Sequence, residues 1–288
     1  MSEPLSEWLA LREAADWSAR SAILVQRVSE ALAQSGEVCA LDLCTGTGSN
    51  LRYLLDRLPG RQRWLVVDRD STLLGKVPAT LSAWAHRNAC GVTTDGIVSH
   101  VRGSRLDARI ETRQMNLGEL QAAIFDGRNL VTASALLDLV SESWLRLLAA
   151  RCQAESASAL FSITYNGQSS CDPAEPEDEM VRDLMNLHQK TDKGLGGPAA
   201  GPDASAVAER VFEEAGYRVE RASSDWRLDP MDREFQRQLI EGWAHAAREI
   251  APQHTSIVDD WLRRRLAHVA AGRSRIAVGH VDMAALPA

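Results

Sequence analysis

An aspartate inside a short apolar run, followed at once by two glycines, is the first place where residue types and spacing imply chemistry. Val38-Cys39-Ala40-Leu41-Asp42-Leu43 reads as a buried strand, and Cys44-Thr45-Gly46-Thr47-Gly48 as a tight turn into a helix from Asn50 to Leu58. In a doubly wound sheet, a turn at the carboxyl end of a strand faces the ligand crevice. Gly46 and Gly48 remove Cβ atoms where a ligand must approach the backbone. The amides that open the next helix suit an anionic group. Two glycines alone are a weak signal, because many strand-to-helix turns carry them for steric reasons.

Three nucleotide readings compete for this turn. The dinucleotide fingerprint requires a third small residue where this chain has Leu51. The phosphate-cradling loop requires Gly-Lys followed by Ser or Thr, and no such pair follows. The third reading is S-adenosylmethionine (SAM), which carries an ammonium and a carboxylate but no phosphate, so an acid at Asp42 is compatible with it. Asp68 directly follows the apolar strand Trp64-Leu65-Val66-Val67. A carboxylate there can accept both hydroxyls of a ribose. Its alternative is an ordinary loop acid capping the helix from Ser71; beside the Asp42–Gly48 turn, the ribose role ranks ahead.

The elements that must position these residues alternate between strand and helix. Residues 4–34 read as helical and stop at Ser35-Gly36; after the two strands above, a helix runs from Leu73 to about Ala89, with Pro78 near an irregular start. Residues 90–110 give no clear period. Further strands are expected at Ile110–Leu117, Leu130–Ala135, Ala159–Tyr165, Tyr217–Arg221 and Ser274–His280, with helices at 143–152, 178–190 and 203–215. Residues 166–177 read as a loop, and 230–271 as strongly helical. Such alternation implies an α/β fold, a mostly parallel sheet with helices on both faces.

The stretches ALDLCTGTGSNLRYLL and WLVVDRDSTLL resemble motifs I and II of class I SAM-dependent methyltransferases, and the resemblance runs from about Val38 to the last strand. It implies a doubly wound, seven-stranded, mostly parallel sheet with the last strand antiparallel. A helical cap over 1–36 would precede a SAM-binding domain over 37–288, with helical insertions at about 178–215 and 230–271. By position, the resemblance puts Asp42, Thr45, Gly46 and Gly48 around the methionine part of SAM. It puts Asp68, with Arg69 beside it, at the ribose. Asn116, with Leu117, stands where the family usually has an acid for the adenine, and Ser134 approaches the sulfonium. Cys44 replaces a loop glycine, so a positive φ is not expected there. An N-terminal helix covers the cofactor in many such enzymes, which would let Arg20 reach the SAM carboxylate; its alternative is the far end of a solvated Arg12–Asp16–Arg20 ladder.

The chain has 288 residues, 45% of them hydrophobic and 25% charged, enough for a core that needs no staples. A net charge of −7 disfavours broad contact with nucleic acid. Five cysteines without a CxxC pair read as reduced thiols. With no signal-peptide pattern and no long apolar run, the expected setting is cytoplasmic, away from a membrane. The histidines form no metal-ligand spacing, so no metal is expected.

Acceptor-site candidates follow the later strands. Asp138, Tyr165 and His188 are the catalytic candidates; Asn166, Lys193 and Trp226 join them as substrate contacts. Each has a plain alternative. Asp138 suits a helix start, Asn166-Gly167 suits a turn, and Trp226 suits a core. The run from His188 to Gly197 reads either as a glycine-rich substrate lid or as a solvated linker. The expectation is in-line methyl transfer to O or N of a small molecule, with a homodimer possible. The alternatives are a non-catalytic SAM-binding or regulatory protein and a methyltransferase acting on protein or RNA.

Overall fold

A computed structural model describes residues 2–118 and 120–288. Two helices open the chain, α1 (Ser2–Ala19) and α2 (Ala22–Leu32), separated by a break at Arg20-Ser21 where the Ser21 hydroxyl accepts the Leu24 amide and starts α2. The strands that follow are β1 (Glu37–Leu43), β2 (Arg61–Asp68), β3 (Gly91–Asp95), β4 (Val98–Arg102), β5 (Asp107–Gln114) and β6 (Leu130–Ser134). After them come β7 (Ser158–Asp172), β8 (Tyr217–Ser223), β9 (Trp226–Leu228) and β10 (Arg275–Pro287). Between them lie α3 (Ser49–Leu55), α4 (Ser71–Leu74), α5 (Val77–Arg87), α6 (Glu142–Ala154), α7 (Asp178–Gln189), α8 (Ala204–Glu214), α9 (Arg233–Ile250) and α10 (Thr255–Ala270).

Seven strands form the body of the sheet in the order β5-β2-β1-β6-β7-β10-β8, and β10 alone among them runs antiparallel to its neighbours. This is the arrangement that the motif resemblance implies. The chain winds one way from β1 through β2 to β5 and the other way through β6 to β7. The switch point therefore lies between β1 and β6, and its crevice opens at their carboxyl ends.

Three apolar clusters hold the layers together. One face of the sheet packs Leu43, Val67, Val131 and Phe161 against Trp144 and Phe212. The other packs Trp64 and Ile110 against Leu51, Leu81 and Trp84. Pro78 sits in the first turn of α5, where its missing N–H costs nothing. The chain breaks at Gly75-Lys76, so the expected helix from Leu73 is two short ones.

Two regions differ from the sequence expectation. Residues 90–110 form the β3–β4 hairpin and the start of β5, which adds to the edge of the sheet. Its strands are short and polar, so they carry no strong alternation. Residues 166–172 continue β7 instead of forming a loop. They pair with the start of β10, Asp172 opposite Arg275 and Ser169 opposite Val278, so a polar stretch becomes a strand through its partner. On this extension α7, α9 and α10 build the third cluster around Ile240, Trp243 and Trp261. There the Trp261 indole donates to Asp178 at 2.7 Å, and the buried Arg265 donates Nε to the same carboxylate at 2.9 Å. No helix among the described residues is long and apolar enough to cross a membrane.

Candidate active site at the switch point

A cavity of about 540 Å³ opens where β1 and β6 diverge. Of the cofactor positions read from the sequence, Thr45, Gly46, Asp68, Arg69, Leu117 and Ser134 line it, while Asp42, Gly48, Asn116 and Arg20 do not; the substrate candidate Lys193 lines it too.

The turn is built from beneath by Asp42. Its carboxylate is fully buried and accepts the Thr45 hydroxyl at 2.6 Å and the Asn50 side-chain amide at 2.6 Å. Burial pushes its pKa up to about 6 against these two stabilising bonds. Asp42 thus braces the loop and does not itself line the cavity. From the side the turn is held by Asp68, which accepts the Gly46 amide at 2.8 Å through one oxygen and the Asp70 amide at 2.9 Å through the other. Asp70 in turn caps α4 by accepting the Thr72 amide at 2.8 Å.

Two glycines of the turn need their residue type. Gly46 has φ +56°, and a Cβ there would lie 3.0 Å from Leu9 Cδ1; Gly48 has φ +80° as α3 begins. Cys44 corrects the expectation made for it. It has φ +51°, so a side-chain-bearing residue occupies the left-handed region where the usual pattern has glycine. The Thr45 amide that follows donates to the Val67 carbonyl at 3.0 Å, which ties the turn to β2.

α1 roofs the cavity with Leu5, Trp8, Leu9, Arg12 and Asp16, which share one helical face. The Trp17 indole donates to Ser49 at 3.0 Å, and Glu13 pairs with Arg52, so the roof is fastened to α3. Arg12 and Asp16 form the expected pair at 2.9 and 3.2 Å, but it is part-buried. Arg20 lies beyond the end of the helix and off this ladder. It is 6% exposed, with its guanidinium 4.0 Å from the centre of the Tyr53 ring. Its Nε and Nη2 are buried without partners. The surrounding carboxylates of Asp282, Asp16 and Asp42 attract it, yet each is already engaged by other donors.

Asn50 was not anticipated. It lines the cavity and its Oδ1 is buried without a donor. Its only signal in the sequence was a polar residue in the first turn of the helix that follows the glycines. Asn116 does not line the cavity. It is exposed, and its Oδ1 accepts the Gly118 amide at 3.0 Å, while Met115 and Leu117 on either side do face the cavity.

The acceptor candidates divide. Asp138 sits on the short turn after β6, between cavity-lining Leu136 and Leu139 but not itself in the lining, and its Oδ1 is buried without a partner. Burial raises its pKa to about 6, opposed in part by Arg12 and Lys193. Lys193 lines the cavity. Tyr165, Asn166, His188 and Trp226 are not brought to it. Because β7 continues past Tyr165, that side chain donates to Asn186 at 2.8 Å and Asn166 Oδ1 accepts the Gln168 amide at 3.0 Å. His188 bonds Glu249 at 2.9 Å. Trp226 is buried behind Arg12, donating to Asp16 at 2.9 Å with the Arg12 guanidinium 5.0 Å from its ring centre. The glycine-rich segment is anchored at several points. The Ser141 amide donates to the Leu195 carbonyl at 3.1 Å, the Gly194 amide to Asp192 at 2.7 Å, and Asp192 bridges Pro198. Gly194, Gly196 and Gly197 serve this tight return with positive φ.

Fold and cavity together define a Rossmann-like α/β protein with a cavity at the switch point. No family model matches the chain, and no curated protein does. Among solved structures it is similar to the cyclopropane synthase MmaA2 from Mycobacterium tuberculosis, at 11% identity and a TM-score of 0.43, covering 90% of this chain and 82% of that one. It is similar also to the YcgJ protein from Bacillus subtilis, at 10% identity and a TM-score of 0.44, covering 91% and 99%. An O-methyltransferase family protein from Burkholderia thailandensis shares 16% identity at a TM-score of 0.40, covering 90% of this chain and 55% of its own. Likeness at this level carries no functional argument, which rests on the side chains.

Proposed function

We propose that the protein is a SAM-dependent methyltransferase acting on O or N of a small molecule. The observation that carries the reading is a set of polar atoms at and behind the cavity. Asn50 Oδ1 is in its lining and buried without a donor, and Asp68 lines it at the end of β2. Arg20, outside the lining but attracted by Asp16 and Asp42, has Nε and Nη2 buried without partners. Buried polar groups left unpaired are costly, and a ligand that pairs them is favoured. An α-amino acid ammonium satisfies the Asn50 carbonyl, its carboxylate satisfies Arg20, and a ribose diol satisfies Asp68, whose oxygens each keep a free lone pair. SAM presents all three groups on one molecule. Arg69, Met115 and Leu117 would flank the nucleoside, and Ser134 the reacting end.

When bound, SAM would supply a methyl group activated by a positively charged sulfur that can leave as a neutral thioether. Alignment supplies much of the rate, and α1 excludes water from above. Asp138, ionised above about pH 6, takes the acceptor's proton.

The test is an acceptor screen with methyl-labelled SAM. Transfer of label to a small hydroxyl or amine compound supports the reading. SAM binding without transfer to any compound favours a non-catalytic, regulatory role, and transfer only to protein or RNA overturns the small-molecule assignment.

A further inference from the structure

Arg12 and Lys193 both line the cavity, and these two cations differ in what balances them. Arg12 is paired with Asp16. Lys193 donates to the His188 carbonyl at 2.9 Å and to the Thr191 hydroxyl at 2.9 Å, both neutral, and no carboxylate among the described residues lies within ion-pair distance of it. An ammonium has three donors, so one remains. The two acids that attract it from further off are Glu249, already bonded by His188 and His245, and Asp138. Burial costs the Lys193 charge more than these acids return, so its pKa is lowered.

The loop that carries this lysine is preorganised. Leu195 and Gly196 carbonyls accept from Ser141 and Ser143 at the start of α6, and Gly194 packs against Gly118. The cavity that Lys193 lines also has apolar walls, Trp8, Leu139 and Leu195 among them. A half-buried cation held by neutral oxygens in a largely apolar cavity is the complement of an anion on an apolar body.

We propose that Lys193 is a specificity determinant that seats a carboxylate on the methyl acceptor, so that the acceptor is an apolar acid. This rests on the methyltransferase reading for the word acceptor, and Asp138 then takes the proton from the nucleophile of the same molecule.

The probes are octanoate, octanamide and octylamine, titrated by calorimetry into protein already saturated with S-adenosylhomocysteine. Wild-type protein binds octanoate about tenfold or more tightly than octanamide, because a charge-assisted bond replaces a neutral one. In Lys193→Met the acid and amide bind within roughly twofold of one another, while Lys193→Arg keeps the preference. An acid no better than the amide in wild type, a preference for the amine, or a preference that survives in Lys193→Met overturns the proposal. Absence of S-adenosylhomocysteine binding removes the methyltransferase reading by itself. The same ligand series on the unliganded protein then decides the Lys193 site.

Discussion

The Asp68 carboxylate accepts the Gly46 amide at 2.8 Å, so the end of the second strand clamps the turn that follows the first. One side chain both shapes the glycine turn and faces the cavity beside it. Replacing Asp68 with Ala removes a charged acceptor from two amides and from the bound ribose. A hydrogen bond to a charged group is worth about 1.5–3 kcal/mol, so SAM affinity falls roughly tenfold to a hundredfold. Calorimetry on Asp68→Ala and Asp68→Asn reads this, and unchanged affinity in both variants rejects the ribose role.

The proposed contact of Arg20 with the SAM carboxylate is tested by comparing ligands with and without that group. Arg20→Gln weakens SAM about tenfold or more but leaves adenosine, which has no carboxylate, within about twofold of wild type. Equal loss for both ligands makes Arg20 a structural residue only.

With Asp138 as the proposed base, its ionisation sets the acid limb of the rate. The carboxylate must be ionised to accept a proton, and burial places its pKa at about 6. Activity on a hydroxyl acceptor therefore rises as pH increases through about 6 and levels off above it. The groups around it are Arg12, Lys193 and Tyr165; burial raises the Tyr165 pKa well above this window, so it stays neutral. Asp138→Asn lowers kcat by about 10²–10⁴-fold and removes the limb from the pH profile. A limb near pH 6 that persists in Asp138→Asn assigns it to another group.

Gly46 tests the roof. At φ +56° a side chain costs roughly 1–2 kcal/mol, and an added Cβ meets Leu9 Cδ1 at 3.0 Å. Gly46→Ala is expected to lower stability by about that amount and to weaken SAM binding. The double variant with Leu9→Ala recovers only the steric part. Thermal unfolding of the two variants checks the order, and a fully restored midpoint in the double variant leaves no backbone term.

The mostly parallel sheet was legible because strands and helices alternate in local patterns, and its antiparallel last strand came from the resemblance that Asp42, the glycine turn and Asp68 carry. Leu43, Val67 and Val131 likewise carry a buried-strand pattern in short runs. What sequence missed depends on distant partners. The 166–172 stretch is polar and becomes a strand only because β10 runs alongside it. That extension withdraws Tyr165 and Asn166 from the cavity. Asn50 stands out through a bond it lacks, which no pattern reveals until the fold buries it, whereas Arg20 was reached only through the resemblance. Trp8 and Arg12 join the site because α1 folds back over the sheet, a contact set by tertiary packing.

The central claim is that the switch-point cavity binds SAM through Asp68, Asn50 and Arg20. Calorimetric titration of the full chain with S-adenosylhomocysteine tests it most directly. The account predicts saturable binding at one site per chain, lost or strongly weakened in the Asp68→Ala, Arg20→Gln double variant. No measurable binding to wild-type protein, or equal binding by the double variant, contradicts it.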